Sequence, residues 1–451
     1  MKLTFDRGTI LISGNIRVPN SAWDERSGAF RAMALYYKDI VDFLAMSSFD
    51  YDDYVLNLVP CPELRSNTAL RDYQKQALEA WNANGKCGVV VLPTGSGKTI
   101  IGIHAISLLN TPSIIVAPTL DLVAQWRSKL EEEFKVEVGV LGGGEQEIKA
   151  LTVSTYDSAY IHADKLGNKF GLIIFDEVHH LPAEGYRNIA EMFASPYRMG
   201  LTATFEREDG LHKELNRLVG GKVFEKKVID LAGYYLSPFS LEKIVVELTE
   251  EEKDEYSKNQ KIFLDYLARS NLAMNSPDGF KRLVMRSGRD PSARRALLAR
   301  NKARDIAFNS ISKIEKLSEI LKRHNESRIF IFTEHNKLVH RISKEFLIPS
   351  ITYKTPDRER GEILDGFRSG LYRAVVTSKV LDEGIDVPDA DVGIVLSGTG
   401  SERAFIQRLG RILRKKEGKN AVLYEIVSAE TSEANTARKR KRSFRQYKNR
   451  K

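Results

Sequence analysis

The sequence GVVVLPTGSGKTIIGIHAISLL, residues 88–109, places a short apolar run before a glycine-rich segment and a helical pattern. This order of strand, glycine-rich loop and helix is the context that a phosphate-binding loop requires. Gly95 and Gly97 allow backbone N–H groups to turn toward phosphate oxygens, and the start of a helix favours negative charge. We therefore predict a nucleotide site at residues 94–99, with ATP as the cofactor.

The polar side chains of this loop indicate how it would hold ATP with Mg²⁺. Lys98 can reach the β- and γ-phosphates, and the Thr99 hydroxyl can bind the metal ion. Leu92 departs from the general pattern, which has glycine at that position. A glycine-rich turn that binds nothing is the alternative, and Lys98 and Thr99 directly after a strand argue against it. The predicted nucleotide-binding residues here are Thr94, Gly95, Ser96, Gly97, Lys98 and Thr99.

A pair of carboxylates follows a second apolar run in FDEVHH, residues 175–180. The carboxyl ends of strands in open α/β sheets are where ligands bind. Neighbouring carboxylates at such an end can divide the work, because one can bind Mg²⁺ while the other deprotonates the attacking water. We assign Asp176 to the metal and Glu177 to the base. An isolated acidic pair would be solvated surface, so this assignment depends on the upstream phosphate loop.

Short apolar runs alternate with helical stretches along most of the chain, which is typical of α/β folds. Runs that are almost wholly apolar suit parallel strands buried on both faces. They fall into two groups: CGVVVLP, SIIVAP, KALTVST, FGLIIFDE and YRMGLTA, then RIFIFT, AVVTS, VGIVLS and AVLYEIV. We predict the α/β class, with two doubly wound parallel-sheet domains at 67–230 and 306–436.

The other segments have different patterns. Residues 1–66 predict a small α+β domain with strands LTF and TILIS, a helix over AFRAMALYYKDIVDFLA and a strand at YVLNLVP. Residues 231–305 predict a linking strand followed by charged helices. Residues 437–451 form a basic tail.

Composition limits the class of protein. Of 451 residues, 42% are apolar and 29% charged, a balance that suits a soluble globular protein with several domains. The only cysteines, Cys61 and Cys87, exclude a disulfide framework and a four-thiolate zinc site. No signal peptide and no run of about 18 apolar residues is present, so we expect no membrane partner and a cytoplasmic protein.

The net charge of +9 is concentrated in two places. Residues 437–451 hold nine Lys and Arg and no acid, so the rest of the chain has 60 basic and 60 acidic residues. Residues 281–304 hold nine basic residues against Asp290 alone. Such clusters suit a polyanion such as nucleic acid, and a solvated surface is the alternative. For 281–304 a functional role is favoured, because Leu283, Val284, Leu297 and Leu298 indicate a folded segment.

A series of motifs occurs in the order found in superfamily 2 helicases, over about residues 67–430. TGSGKT, DEVH, LTAT at 201–204 and QRLGRILR at 407–414 resemble motifs I, II, III and VI. LRDYQ, APTLDLVAQW, VSTYDS, IFIFTEH and TSKVLDEGIDVP resemble the segment before motif I, motif Ia, the motif after it, and motifs IV and V. The resemblance implies two RecA-like domains.

Within that superfamily the chain resembles archaeal members of the XPB family. FEREDG, residues 205–210, contains Arg207, Glu208 and Asp209 and is similar to that family's RED motif. The domain at 1–66 stands where the family has a damage-recognition domain, and 231–305 where it has a thumb-like insertion. These last two matches depend on position alone. The chain is much shorter than the eukaryotic members of that family, which favours a prokaryotic, nucleoid-associated form.

The resemblance implies roles for residues outside the phosphate loop. Gln74 would read the adenine, and Gly384 and Asp386 would lie near the nucleotide. Gln407 would contact the γ-phosphate or the water. Arg411 and Arg414 would reach the γ-phosphate from the second domain and stabilise phosphoryl transfer.

Other motif residues would couple the nucleotide to DNA. His179 would link the acidic motif to the second domain, and Thr202 and Thr204 would transmit the nucleotide state to the side that binds nucleic acid. Backbone N–H groups and hydroxyls would hold DNA phosphates without reading sequence. The predicted phosphate contacts are Thr119, Thr155 and Ser378. Phe205, Tyr156 and Trp126 would either stack on bases or lie in the core.

These features predict an ATP-dependent 3′–5′ DNA helicase and translocase of the XPB type, acting in nucleotide excision repair on single-stranded, forked or damaged DNA. The alternatives are a duplex translocase that does not separate strands, such as a restriction-enzyme motor, an RNA helicase, and a DNA-binding scaffold switched by ATP. A nuclease partner is implied by the resemblance alone.

Removing residues 437–451 should weaken DNA binding and flatten the dependence of log affinity on log salt, because the slope falls by about one for each phosphate that the protein no longer neutralises. Fluorescence anisotropy at several salt concentrations measures both quantities. An unchanged slope would make the tail a solvated end.

Overall fold

The computed structural model describes residues 1–14, 16–207, 209–231, 234–235, 239–272, 274, 277–378, 389–396 and 421–434. The described residues divide into two compact units, with those up to residue 231 in the first and those from 234 to 434 in the second. No helix among the described residues is long and apolar enough to cross a membrane.

The first unit begins with a small domain built on a five-stranded sheet. Its strand order is β3-β4-β2-β1-β5, and all pairs are antiparallel except β1 with β5. The elements are β1 (Lys2–Asp6), β2 (Thr9–Ser13), β3 (Ser21–Asp24), β4 (Ala29–Met33), α1 (Tyr37–Met46) and β5 (Asp52–Tyr54). Leu3, Ile10, Ile12, Ile40 and Leu44 form the centre of its core.

Two expectations for this domain were wrong. The helix predicted from residue 29 begins only at Tyr37, because residues 29–33 pair with a strand on each side and Phe30 meets Trp23 with ring centroids 5.2 Å apart. Cross-strand pairing of this kind outweighs local helical preference. The strand predicted at YVLNLVP ends at Tyr54. Asn57 and Val59 instead donate single backbone hydrogen bonds to carbonyls of residues 168 and 169.

An eight-stranded sheet follows, with helices packed against it. Its order is β13-β6-β12-β11-β7-β10-β8-β9, and only β9 runs antiparallel to its neighbour. The strands are β6 (Cys87–Val91), β7 (Ser113–Ala117), β8 (Val138–Gly142), β9 (Glu145–Gln146), β10 (Leu151–Thr155), β11 (Leu172–Asp176), β12 (Tyr197–Thr202) and β13 (Lys222–Glu225). The helices are α2 (Asp72–Ala83), α3 (Lys98–Leu109), α4 (Leu120–Phe134), α5 (Tyr156–Leu166), α6 (Arg187–Met192), α7 (Leu215–Leu218) and α8 (Val228–Leu231). The five apolar runs of the first group are all strands, as predicted.

The second unit holds a six-stranded, fully parallel sheet in the order β14-β19-β18-β15-β17-β16. Its strands are β14 (Phe239–Val246), β15 (Ile329–Phe332), β16 (Ser350–Ile351), β17 (Ala374–Thr377), β18 (Val392–Val395) and β19 (Ala421–Ser428). The helices α12 (Ile311–Arg323), α13 (Asn336–Phe346) and α14 (Asp357–Ser369) accompany it. All four runs of the second group are strands. The strand at 239–246, expected as a link, is an edge strand of this sheet.

Three further helices, α9 (Glu250–Ser270), α10 (Pro277–Ser287) and α11 (Pro291–Phe308), carry the basic cluster of residues 281–304. Phe263, Leu283, Ala293 and Ala296 form a small buried core among them. The cluster therefore belongs to a folded segment, as predicted. Leu297 packs against this core, but Val284 and Leu298 are exposed.

Arg198, in β12, is a buried cation whose described hydrogen-bond partners are all backbone carbonyls. Its guanidinium donates to the carbonyls of Ser195, Ala190, Leu218 and Phe193. Burial lowers the pKa of Arg198 to about 10. These bonds join α6, α7 and the sheet.

We predict that Arg198→Met destabilises the first unit by at least about 3 kcal/mol, because each buried carbonyl left without a donor costs about 1–3 kcal/mol. Urea unfolding followed by tryptophan fluorescence measures the loss. Arg65→Met is the control, since the Arg65 side chain is exposed and its pair with Glu63 contributes little. Equal stability of the two variants would contradict the prediction.

Candidate active site

Three adjacent parallel strands, β6, β12 and β11, bring the phosphate loop and the acidic pair to the same end of the eight-stranded sheet. The central strand β12 pairs with β6 and β11, and the register places Thr202 beside Val91 and Leu201 beside Asp176. The N–H of Leu92 donates to the Thr202 carbonyl at 2.9 Å. The segments that follow these strands, 92–97, 177–180 and 203–210, therefore start side by side.

The glycine-rich loop has the backbone that its sequence predicts. Gly95 and Gly97 have φ values of +80° and +81°, a region that favours glycine. A Cβ at Gly97 would lie 2.7 Å from Nε2 of Gln74, so a side chain there would also clash. Lys98 begins α3, and its Nζ donates to the Leu92 carbonyl at 3.3 Å.

Gln74 is buried against this loop. Its Nε2 donates to the carbonyls of Ser96 at 3.1 Å and Gly97 at 3.3 Å, while its Oε1 accepts the Arg71 N–H at 2.9 Å. The Tyr73 hydroxyl also donates to the Ser96 carbonyl. The residue predicted to read adenine thus supports the phosphate loop directly. Tyr73 was not among the residues predicted for this site, although its place beside Gln74 in LRDYQ was a signal.

The loop also contains a polar group suited to a ligand. Among the described residues, the buried Thr94 Oγ1 has no hydrogen-bond partner. The same residues contain no group of three or more His, Cys, Asp or Glu that could hold a metal ion unaided. Mg²⁺ is usually bound by one or two carboxylates together with substrate phosphates. Thr99 and Asp176 therefore fit Mg²⁺ that arrives with a nucleotide.

Asp176 is a buried carboxylate at the end of β11. Trp126 Nε1 donates to its Oδ2 at 2.8 Å, and the Glu177 N–H donates to its Oδ1 at 3.0 Å. Burial, and then the charge of Glu177, raise the pKa of Asp176, while Lys98 and the Trp126 hydrogen bond oppose this. A nearby cation stabilises the ionised form of such a group, which suits a metal ligand.

Glu177 turns away from the strand and contacts His179 of its own motif and Thr202 of the LTAT motif. Its φ of +47° places it in the left-handed region, next to the 3₁₀ turn Val178–His180. Its Oε2 lies 3.3 Å from Thr202 Oγ1 and 3.4 Å from Nδ1 of the buried His179. Thr202 Oγ1 also lies 3.0 Å from that ring nitrogen and accepts the Thr204 N–H at 3.2 Å. The structure therefore brings together the predicted base and the three coupling residues.

The loop after β12 is tied to this cluster. Arg207 donates to the carbonyl of His179 and forms an ion pair with Asp209, with Nη2 2.6 Å from Oδ2. The Arg207 hydrogen bond lowers the pKa of Asp209 to about 2. Asp209 Oδ1 also accepts the Leu211 N–H at the next 3₁₀ turn. Glu208 lies outside the described residues.

The predicted DNA contacts of the first unit are helix caps. Thr119 precedes α4 and accepts the Leu122 N–H at 3.3 Å, and Thr155 precedes α5 and accepts the Ser158 N–H at 3.1 Å. In the second unit, Ser378 follows β17 and donates its N–H to the Ile351 carbonyl. Helix starts after parallel strands are suited to phosphate binding.

The three aromatic candidates for base stacking are buried, so the core alternative is correct for them. Trp126 is 1%, Tyr156 2% and Phe205 8% exposed. Trp126 bonds the Asp176 side chain, and the Tyr156 hydroxyl donates to the Asp176 carbonyl at 3.1 Å. The predicted residues Gln407, Arg411, Arg414, Gly384 and Asp386 lie outside the described residues.

Three family profiles match successive parts of the chain. The profile described as "Xeroderma pigmentosum group B helicase damage recognition domain" matches residues 3–55. "Type III restriction enzyme, res subunit" matches residues 67–207, and "ERCC3/RAD25/XPB C-terminal helicase" matches residues 299–446.

Curated relatives extend this similarity over nearly the whole chain. The "DNA 3'-5' translocase XPB2" of Sulfurisphaera tokodaii is 46% identical over 96% of this chain and 98% of its own length. The "DNA 3'-5' helicase XPB" of Mycobacterium tuberculosis is 30% identical, and the match covers 83% of this chain but only 63% of that protein.

A solved structure agrees in fold. The "Crystal structure of Pyrococcus furiosus Hef helicase domain" matches with a TM-score of 0.54 and 20% identity, over 81% of this chain and 97% of that chain. The two parallel sheets are therefore RecA-like domains. Taken with the full-length similarity to an archaeal translocase, the profiles and the site geometry show that the chain belongs to the XPB family of helicases and translocases.

Proposed function

We propose that this protein is an ATP-driven motor that moves 3′ to 5′ on DNA and opens strands during nucleotide excision repair. The observation that carries this proposal is the cluster formed by Asp176, Glu177 and Thr202 at the ends of two adjacent strands and by Lys98 at the start of α3, which follows the third strand. Two relatives, one named a 3′–5′ translocase and one a 3′–5′ helicase, support the direction of movement.

In this proposal each residue of the site has a chemical task. Lys98 and the N–H groups around Gly95 and Gly97 bind the nucleotide phosphates. Thr99 and Asp176 hold Mg²⁺, which neutralises charge on the phosphates when it is bound.

Glu177 is proposed to accept a proton from the attacking water at its carboxylate. A general base must be held within reach of the proton that it removes. The Glu177 carboxylate is restrained in this way, because Oε2 lies within 3.4 Å of both Thr202 and His179. Those contacts hold it in place next to Asp176.

The same contacts offer a route from nucleotide to DNA. Thr202 touches both Glu177 and Thr204, and Arg207 bonds the carbonyl of His179. A shift of Glu177 during hydrolysis would therefore move the loop that carries Arg207. We propose that this loop acts on DNA strands. Elsewhere in the chain, Thr119, Thr155 and Ser378 are proposed to contact DNA phosphates.

We propose domain limits of 1–66, 67–230, 231–305 and 306–436 with a basic tail at 437–451, a cytoplasmic location and, by family resemblance alone, a nuclease partner. Movement along duplex DNA without strand separation is a second candidate, because one relative is named a translocase. Displacement of a triplex-forming strand reports translocation, and unwinding of a 3′-tailed duplex reports strand separation.

We predict that Glu177→Gln binds ATP with near wild-type affinity but hydrolyses it at least about 100-fold more slowly, because general-base catalysis typically contributes about 10²–10⁴-fold. Lys98→Ala should lose both binding and turnover, since the phosphates lose their positive partner. Steady-state turnover with and without single-stranded DNA, together with binding of a fluorescent ATP analogue, separates the two effects. Normal turnover by Glu177→Gln would disprove the assignment of the base.

For the loop after β12, replacing Arg207, Glu208 and Asp209 together by alanine should preserve most DNA-stimulated ATP turnover and abolish unwinding. The Arg207–Asp209 ion pair is local and exposed on the Asp209 side, so its loss should change stability by less than about 1 kcal/mol. Turnover, unwinding and melting temperature are measured in parallel. If all three fall together, the loop has a structural role only.

A further inference from the structure

Trp126 occupies an unusual position for a core tryptophan, because its N–H is directed at the carboxylate of the predicted metal ligand. The residue lies in the middle of α4 and is 1% exposed. Its Nε1 donates to Asp176 Oδ2 at 2.8 Å. The other oxygen, Oδ1, accepts the Glu177 N–H at 3.0 Å. Both carboxylate oxygens therefore have a fixed donor.

The far edge of the indole ring packs against α3, the helix that follows the phosphate loop. A Cβ at Gly102 of α3 would lie only 2.8 Å from Cη2 of Trp126 and 3.4 Å from Ile174. Glycine is needed there because the ring packs directly on the helix backbone. The indole thus spans from α3, whose first residues are Lys98 and Thr99, to the end of β11.

We propose that Trp126 is a positioning residue, which holds the Asp176 carboxylate in the orientation that binds Mg²⁺. The inference rests on the proposed function, in which Asp176 is a metal ligand. A free carboxylate rotates about its Cβ–Cγ bond and loses that freedom when it binds a metal. Because both Asp176 oxygens already accept hydrogen bonds, this rotational freedom is lost when the protein folds and not when the metal binds. Partners that orient a metal ligand typically contribute about 10–100-fold to metal affinity.

The same domain contains a matched tryptophan without this connection. Trp81 in α2 is fully buried, and its Nε1 donates to the backbone carbonyl of Arg198 at 2.9 Å. Buried tryptophans usually find a hydrogen-bond acceptor, so the N–H bond alone does not imply a function. The two residues differ in the acceptor, which is a carboxylate for Trp126 and a backbone carbonyl for Trp81. Trp81→Phe therefore controls for the loss of a buried indole N–H.

The experiment compares Trp126→Phe, Trp81→Phe and wild type. Each protein is heated with a non-hydrolysable ATP analogue over a range of free Mg²⁺ concentrations. The readout is the Mg²⁺ concentration at which half of the nucleotide-induced rise in melting temperature is reached. We expect this midpoint to be at least about 10-fold higher for Trp126→Phe and unchanged for Trp81→Phe. An unchanged midpoint for Trp126→Phe, or an equal shift in both variants, overturns the proposal.

Asp176→Asn separates this inference from the proposed function. If the wild type gains no Mg²⁺-dependent stability from the nucleotide, or if Asp176→Asn has a wild-type midpoint, the assignment of the metal ligand fails. If Asp176→Asn raises the midpoint, adding Trp126→Phe should raise it no further, because the tryptophan acts through the carboxylate. Additive shifts would contradict that.

Should Trp126→Phe fail to fold, benzothienylalanine incorporated at position 126 keeps the bicyclic shape and replaces the N–H by sulfur. The same shift of about 10-fold is expected, and a wild-type midpoint overturns the proposal.

Discussion

The parallel pairing of β12 between β6 and β11 is the constraint on which the site depends. It aligns the carboxyl ends of three strands that are far apart in the sequence. The phosphate loop, the acidic pair and Thr202 therefore lie at the same end of the sheet. Gly200, in the middle of β12, permits this packing, because a Cβ there would lie 2.9 Å from Val89 and 3.0 Å from Val178. A larger residue would push β6, which leads into the phosphate loop, away from the turn after β11, which carries the acidic motif.

The buried carboxylate of Asp176 is the electrostatic consequence of that arrangement. An ionised group removed from water is costly unless it is hydrogen-bonded or paired. Here the indole of Trp126 and the N–H of Glu177 supply the hydrogen bonds, and Lys98 supplies positive charge nearby. The adjacent charge of Glu177 works in the opposite direction. A cation close to Asp176 would stabilise its ionised form, which agrees with its proposed role as a ligand of Mg²⁺.

The sequence predicted the buried parallel strands well and the side-chain network poorly, for a physical reason. Buried parallel strands must be apolar on both faces, so runs such as FGLIIFDE identify themselves. The helix expected at residue 29 was wrong, because pairing with β2 and β3 depends on distant residues. The bond from Trp126 to Asp176 joins positions 50 residues apart and depends on how α4 packs on the sheet. Motif resemblance could name these motifs, but only packing shows that Trp126 is linked to the predicted metal ligand.

The backbone at Glu177 shows how the network and the fold support each other. A non-glycine residue with φ of +47° is held against a conformational cost of about 1–3 kcal/mol. The turn it makes lets the chain leave β11 sharply, and His180 then closes a 3₁₀ turn onto the Glu177 carbonyl. As a result the side chain faces Thr202 on the neighbouring strand rather than continuing the direction of Asp176. Two consecutive carboxylates therefore point to different partners, one to Trp126 and one to Thr202. This divergence gives two neighbouring acids different surroundings in one small site, as the proposed division between metal ligand and base requires.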